Sequence, residues 1–242
     1  MITALRHEIV GPADSPHRLR IAHLSDFHLW FSERKLREIE PLLAAWQPDV
    51  LALTGDYADT PAGCRLAVAW IRKMSAIYPL CWVAGNHDRW FTSSSIPRLE
   101  ALPQAHAIDR RDAWIKGKTG RCFRFTAWER MDAPGPDPGQ PEAGATVVLL
   151  HDPALIAPEK LRAAGPRLLL AGHLHGGQIT LWRDRHGRPQ PAASCYRWLA
   201  DRSEIHAATL IVSRGLGDTL PIRFRVPKEI VLVDFYADLS PP

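Results

Sequence analysis

The chain has 242 residues, 46% of them hydrophobic, which is enough for one α/β domain with a substantial core and leaves little room for a second. Thirty lysines and arginines against 26 aspartates and glutamates give a net charge of +4, which suits an anionic partner but is too small to indicate a dedicated nucleic-acid surface. Because no signal-peptide pattern or membrane-length apolar run is present, we expect a cytoplasmic protein with a single domain over residues 1–242.

Short apolar runs recur along the first part of the chain, with helix-like segments between several of them. This alternation predicts strands joined by crossover helices, as in an α/β fold. Each run ends in a cluster of His, Asp, Asn or Gly, so one kind of chemistry recurs at the predicted strand ends. The predicted strands are 20–24, 50–53, 80–84, 146–150 and 168–171.

Apolar residues at helical spacing predict three helices. The first has Ser32 as its N-cap and runs to about residue 46, and the others cover about 62–77 and 153–164. A Pro- and Gly-rich stretch at about 131–144 predicts a surface loop. Alternating apolar residues late in the chain predict half-buried strands and a second sheet, with the strands at 178–182, 209–212, 222–226 and 229–235.

The polar residues after the predicted strands are candidates for one shared site, because ligands of open α/β sheets bind at the carboxyl ends of the strands. They offer oxygen and imidazole donors without thiolate, a set that suits Mn, Fe, Co, Ni or Zn. Seven donors are too many for one ion, whereas two ions that share a carboxylate can use all of them. The candidates are Asp26, His28, Asp56, Asn86, His151, His173 and His175.

Taken singly, each of these residues has a structural interpretation. A lone Asp after a strand is usually a turn or helix cap, and a lone His is usually partly buried and hydrogen-bonded. The motifs D-x-H, G-D, G-N-H-D, a strand-end His and G-H-x-H nevertheless follow apolar runs in one order. This co-occurrence favours a metal site.

These motifs, at residues 26–28, 55–56, 85–88, 151 and 172–175, resemble those of the calcineurin-like metallophosphoesterases. Residues 176–178, 213–217 and 221–223 are similar to the bacterial branch with YkuE- and YaeI-type phosphoesterases. The resemblance implies a four-layer α/β/β/α sandwich with two mixed sheets. It also implies that Asp56 bridges two metal ions, one held by Asp26, His28 and His175 and the other by Asn86, His151 and His173.

Phosphoester cleavage needs charge neutralisation on the phosphoryl oxygens, an in-line nucleophile and a proton for the leaving oxygen. Hydroxide generated by the metal pair meets the first two needs, with manganese as the ion expected to support activity. His87 is the candidate general acid, and the resemblance pairs it with Asp59. The alternative is that Asp59 caps the following helix.

Other charged residues near the motifs have two interpretations each. Asp88 and Asp152 directly follow predicted ligands, so they are either hydrogen-bond partners of imidazoles or turn caps. Arg214 and Arg223 are candidates for binding a substrate phosphate, because guanidinium forks match phosphate oxygens. Solvated surface arginine is the alternative for both.

The substrate expected from these features is a phosphodiester or pyrophosphate, on a small nucleotide or a lipid-linked phosphate. Aromatic pairs follow the first and third motifs, with Arg34, Lys35 and Arg89 nearby, and either form a basic, apolar rim around the site or pack helices onto the sheet. The rim motivates the hypothesis of peripheral contact with the inner face of the membrane. The aromatic pairs are Trp30 with Phe31 and Trp90 with Phe91.

A non-catalytic metal-binding scaffold of the same fold is the competing hypothesis. Such proteins usually lack one or more ligands or the acid, whereas this sequence has all seven candidate ligands and His87. Metal storage or sensing is a third class, which no separate feature of the sequence favours. The sequence therefore predicts an active phosphoester hydrolase.

Overall fold

The structure, a computed structural model, describes residues 4–132, 145–164, 168–183, 185, 189–191, 201–206, 208–220 and 222–237. The predicted surface loop at 131–144 lies almost wholly outside the described residues. Among those described, no helix combines the length and apolar character needed to span a bilayer.

Strands outnumber helices in the described chain. The strands are β1 (Ala4–Val10), β2 (Arg18–Leu24), β3 (Val50–Leu53), β4 (Leu80–Trp82), β5 (Ala105–Ala107), β6 (Ala113–Lys116), β7 (Cys122–Ala127), β8 (Thr146–Leu149), β9 (Leu168–Ala171), β10 (Thr180–Arg183), β11 (Pro189–Pro191), β12 (Arg202–Ile205), β13 (Ala208–Val212) and β14 (Glu229–Tyr236). The helices are α1 (Arg34–Trp46), α2 (Pro61–Ser75), α3 (Asn86–Trp90), α4 (Ile96–Glu100) and α5 (Pro158–Ala164).

The strands form two six-stranded mixed sheets and a small ribbon. The first sheet has the order β1-β14-β2-β3-β4-β5, the second has the order β12-β13-β9-β8-β7-β6, and β10 pairs with β11. Strands β2 to β5 run parallel to one another, and so do β7, β8, β9 and β13. The carboxyl ends of the parallel strands therefore lie on one edge of each sheet.

The two sheets pack face to face, with helices on their outer faces. Successive side chains of a strand point to opposite faces, so Ile21 lies in the apolar cluster between the sheets while Leu24 packs with α1 and α2. In the second sheet, Val147 faces the same inter-sheet cluster and Val148 packs with Leu161 of α5. The predicted four-layer α/β/β/α sandwich is confirmed.

Two helix boundaries differ from the prediction. Helix α1 begins at Arg34 with Glu33 as its N-cap, so the prediction of Ser32 as the cap was wrong by one residue. The segment 153–164 is not one helix, since a 3₁₀ turn at Pro153–Leu155 precedes α5. The break precedes Pro158, whose ring disfavours helical geometry in the preceding residue.

The late strands divide between the sheets. Segment 209–212 lies in β13 of the second sheet, as predicted, but 229–235 forms β14 in the first sheet, between β1 and β2. Segment 222–226 was wrongly predicted as a strand, because Phe224 makes only an isolated bridge with Ile179. Arg225 has a φ of 61°, which takes the backbone out of the extended region.

Candidate metal centre

The seven candidate donors converge at the edge of the sandwich where the parallel strands of both sheets end. Three buried β-strands of the first sheet and two of the second supply them. In chain order they are Asp26 and His28 after β2, Asp56 after β3, Asn86 at the start of α3 after β4, His151 after β8, and His173 and His175 after β9.

One cluster consists of Asp26, His28 and His175, all of them buried. The Nε2 atoms of the two histidines are 3.2 Å apart, and His175 Nε2 is 3.5 Å from Asp26 Oδ1. Burial lowers the pKa of His175 to about 4, so its ring is neutral near pH 7 and its nitrogen can act as a ligand. These donors could hold one divalent cation.

A second cluster consists of Asp56, His151 and His173. His151 Nε2 lies 3.1 Å from His173 Nδ1 and 2.9 Å from the side-chain oxygen of Asn86. Asp56 connects the clusters, since its Oδ2 is 3.2 Å from His151 Nε2 and 3.8 Å from His28 Nε2. A single carboxylate oxygen thus faces both groups of donors.

The hydrogen bonds around His151 test whether these residues suit a metal ion. Its Nδ1–H donates to the Thr54 carbonyl oxygen at 2.6 Å, which leaves Nε2 with a lone pair. That lone pair faces further acceptors, and converging lone pairs repel one another unless a positive species lies between them. Donors bound to one ion at about 2.1 Å lie about 3.0–3.5 Å apart, so the separations in both clusters fit divalent metal ions.

The electrostatic field at the second cluster also favours positive charge. Burial alone would lower the pKa of His151, but its hydrogen bond to Asp56 and the charge of Asp26 outweigh burial and raise the pKa to about 9. A field that holds a proton on a buried imidazole also attracts a cation. Oxygen and imidazole donors without thiolate suit borderline divalent metals.

The backbone is strained at the donors. Among the described residues other than glycine, nine have a positive φ, and five of these are candidate donors. The left-handed region is sparsely populated by such residues, and strain of this kind is concentrated at functional sites. The five donors are Asp26, His28, Asp56, His173 and His175.

Asp59 joins the first cluster to His87. Its Oδ1 accepts hydrogen bonds from His28 Nδ1 at 2.8 Å and from His87 Nδ1 at 2.7 Å, and its Oδ2 accepts one from Trp30 Nε1 at 2.9 Å. Burial opposes ionisation of Asp59, but these hydrogen bonds hold its pKa below the usual value. The same bond to Asp59 is the main cause that raises the pKa of His87, against the effect of burial.

The helix-cap alternative for Asp59 was wrong. Thr60 is the N-cap of α2, and its Oγ1 accepts a hydrogen bond from Gly63 N at 3.0 Å. The Asp59 side chain is therefore free to orient two imidazoles, which is the arrangement that fixes histidine tautomers around metal sites.

Asp88 and Asp152 bind backbone amides, as the turn-cap interpretation predicts. Asp88 is buried and accepts hydrogen bonds from Asp56 N, Tyr57 N and Gly85 N at 2.7, 2.9 and 2.9 Å. It thereby holds the turn that presents Asp56. Asp152 accepts a hydrogen bond from Ala154 N at 2.8 Å and caps the 3₁₀ turn after His151.

Both candidate substrate arginines are mostly buried in ion pairs within the chain. Arg214 donates to Asp201 through Nε at 2.8 Å and also pairs with buried Glu229. Arg223 donates to Asp218 through Nε at 2.5 Å and lies behind His175. Substrate binding by Arg214 and Arg223 stays a prediction, and the observed contacts give both a part in shaping the loop after β13.

Sequence reasoning missed Asp218. Its Oδ1 lies 3.6 Å from His175 Nδ1, so it is the carboxylate partner available when His175 Nε2 acts as a ligand. Asp218 follows no apolar run and lies in a loop, so it has none of the signals that marked the other carboxylates. The contact of Thr54 with His151 was also missed, because a backbone carbonyl has no sequence signature.

The aromatic pairs form a rim around the donors. Trp30 and Phe31 are 46% and 74% exposed, and Trp90 and Phe91 are 73% and 60% exposed. The alternative that they pack helices onto the sheet was therefore wrong. Two pockets open beside the donors, one of about 640 Å³ next to Asn86, His151 and His173, and one of about 370 Å³ next to His28.

Comparison with known proteins identifies relatives over most of the chain. Residues 19–177 match the sequence model of the calcineurin-like phosphoesterases. The uncharacterized metallophosphoesterase YkoQ of Bacillus subtilis is 26% identical over 212 residues, which cover 84% of this chain and 77% of YkoQ. YkuE, another uncharacterized metallophosphoesterase of that organism, is 24% identical over 221 residues, which cover 87% of this chain and 75% of YkuE.

Solved structures share the fold at low sequence identity. The crystal structure of TT1561 from Thermus thermophilus superposes with a TM-score of 0.51 at 14% identity, covering 82% of this chain and 90% of that one. This similarity concerns the arrangement of sheets and helices.

Proposed function

Since the chain belongs to the calcineurin-like phosphoesterase family, and is therefore a divalent-metal-binding phosphoric ester hydrolase, we propose that it works with two metal ions that share Asp56. The observation that supports this most strongly is the position of Asp56 Oδ2, at 3.2 Å from His151 Nε2 and 3.8 Å from His28 Nε2. In this proposal one ion is bound by Asp26, His28 and His175, and the other by Asn86, His151 and His173.

Two cations bound there would supply positive charge for the phosphoryl oxygens and acidify a water molecule for attack. The chain itself provides the proton for the leaving oxygen. His87 Nδ1 is fixed by its 2.7 Å hydrogen bond to Asp59, so Nε2 of the same ring is the atom that can present a proton to substrate. The negative charge of Asp59 stabilises the protonated ring until the transfer takes place.

The substrate is a phosphate ester, and we propose a phosphodiester or a pyrophosphate on a small nucleotide or lipid-linked phosphate. Pockets on both sides of the donor set support a phosphorus atom with a substituent on each side. The first contains Arg89 and Trp90, and the second contains Trp30 and Lys35, so each offers a cation and an aromatic surface. A single-domain organisation over residues 1–242 and a cytoplasmic location belong to the same proposal.

The test is metal-dependent turnover. We expect chelated protein to lack activity and to hydrolyse bis(p-nitrophenyl) phosphate faster than p-nitrophenyl phosphate once Mn²⁺ is added. Elemental analysis of the reloaded protein is expected to find two metal ions per chain. Metal binding without cleavage of either ester would favour the non-catalytic scaffold, and one ion per chain would contradict the shared-carboxylate arrangement.

The exposed rim motivates a separate prediction of peripheral membrane contact. Phe31 and Trp90 are among the most exposed large apolar residues described, and aromatic side chains favour the interfacial region of bilayers. We expect the protein to co-sediment with anionic phosphatidylglycerol liposomes, and a Phe31→Ser/Trp90→Ser variant to remain in the supernatant. The matched control is Ile77→Ser, which removes an exposed apolar side chain elsewhere. Absence of wild-type co-sedimentation would exclude this contact.

A further inference from the structure

The smaller pocket lies on the far side of His28 from the first donor cluster. His28 Nε2 faces His175, whereas His28 Nδ1 lies 3.1 Å from Thr219 Oγ1, which lines the pocket. One imidazole ring therefore separates the pocket from the candidate metal centre. Trp30 and Phe31 form its aromatic side, and Lys35 and Lys228 contribute its cationic groups.

Positive charge exceeds negative charge in this pocket. Asp218 pairs with Lys228 Nζ at 2.9 Å and with Arg223 Nε at 2.5 Å, so one carboxylate already serves two cations. Lys35 Nζ donates to the Phe27 carbonyl oxygen at 3.0 Å, a neutral acceptor that does not compensate its charge. A bound anion would compensate this excess.

The state of Lys35 agrees with this arrangement. Burial, together with repulsion from Lys228 and Arg223, lowers the pKa of Lys35 to about 8. An ammonium held partly buried near two other cations interacts strongly with an incoming anion, because the attraction is weakly screened.

We propose that this pocket binds a second phosphoryl group, next to the one that is hydrolysed, so that the enzyme prefers pyrophosphate-linked substrates over simple phosphodiesters. Lys35, Lys228 and Thr219 are the groups that would contact it, and Thr219 and Lys228 lie beyond residue 177, where the family match ends. The inference rests on the proposed function and narrows its substrate class.

The position of the pocket assigns the second phosphoryl group to the leaving side. The pocket adjoins the Nδ1 side of His28, where Asp59 Oδ1 also receives the hydrogen bond from His87. In the reaction, the oxygen of water bonds to one phosphorus and the bridging P–O bond breaks. The electron pair leaves with the bridging oxygen on the second phosphoryl group, and His87 supplies its proton.

Binding measurements test the subsite without turnover. We expect calorimetry on the Mn²⁺-loaded protein, at fixed excess Mn²⁺, to show that α,β-methylene-ADP binds at least about 10-fold more tightly than AMP. Lys35→Gln is expected to remove most of that difference. The control Lys118→Gln changes an exposed lysine outside the pocket and is expected to retain it. If Lys35→Gln fails to fold, as judged by circular dichroism, Thr219→Val serves as the second variant.

Turnover measurements separate failure of the subsite from failure of the proposed function. We expect the ratio of kcat/KM for ADP-ribose to that for bis(p-nitrophenyl) phosphate to fall at least about 10-fold in Lys35→Gln and to be maintained in Lys118→Gln. Manganese-dependent cleavage of the simple diester, combined with equal binding of the two nucleotides, would overturn the subsite alone. Cleavage of neither ester by the wild type would overturn the proposed function, and the calorimetry would still decide whether the pocket prefers two phosphoryl groups.

Discussion

Asp56→Asn is expected to abolish the binding of both metal ions and to lower turnover of bis(p-nitrophenyl) phosphate by more than about 100-fold. That figure is the upper range for losing a residue that only orients a ligand, and Asp56 faces both donor clusters directly. Asparagine has the size of aspartate, and its side-chain oxygen can still accept the 2.8 Å hydrogen bond from His87 N. The substitution therefore removes the charge while it preserves the turn.

Metal content and thermal stability measure this effect without substrate. Wild-type protein is expected to gain thermal stability on addition of Mn²⁺, because an ion that binds only the folded state stabilises it, and the variant is expected to gain little. Asp112→Asn is the matched control, since Asp112 is a largely buried carboxylate that binds Arg124 and Thr126 outside the donor set. Two tightly bound ions in Asp56→Asn would show that Asp56 is not the shared ligand.

His87→Ala is expected to retain both metal ions and to lose activity according to the leaving group. A positioned general acid contributes about 10²–10⁴-fold, mostly where the leaving oxygen is basic. We expect a loss in that range for diphenyl phosphate and a smaller loss for bis(p-nitrophenyl) phosphate, whose leaving group needs less protonation. Steady-state kinetics on this pair, with metal content measured in parallel, checks the result.

Asp59→Asn provides the comparison that separates proton donation from ligand positioning. Asp59 accepts hydrogen bonds from both His28 and His87, so its loss is expected to weaken metal binding as well as turnover. His17→Ala, at an exposed histidine, is expected to change neither. Equal losses on both diesters in His87→Ala would contradict its assignment as the acid.

Sequence reasoning located the centre because of how parallel sheets are built. Strands such as β3 and β9 are buried on both faces and therefore read as continuous apolar runs, which makes the polar residue at each end conspicuous. The sheet geometry then brings ends that are far apart in sequence to a common edge. Residues 26 and 175 meet for this reason, and the order of motifs was sufficient to predict it.

The parts that escaped prediction depend on contacts with no local pattern. Strand β1 alternates polar and apolar residues at the edge of the first sheet, where its parallel pairing with β14 joins opposite ends of the chain. Asp218 likewise acquires its position from the ion pairs with Arg223 and Lys228. Exposure of Phe31 and Trp90 could not be read from composition, because it depends on where α1 begins and on how short α3 is.

The left-handed conformation of five donors links metal binding to the folding equilibrium. A residue other than glycine in that region loses about 1 kcal/mol relative to its preferred geometry, and here the loss falls where lone pairs and carboxylates already repel one another. Glycine at such a position would relieve the strain and remove a ligand. The chain has thus exchanged some stability of its metal-free state for a fixed arrangement of donors, a trade-off that bound cations reverse.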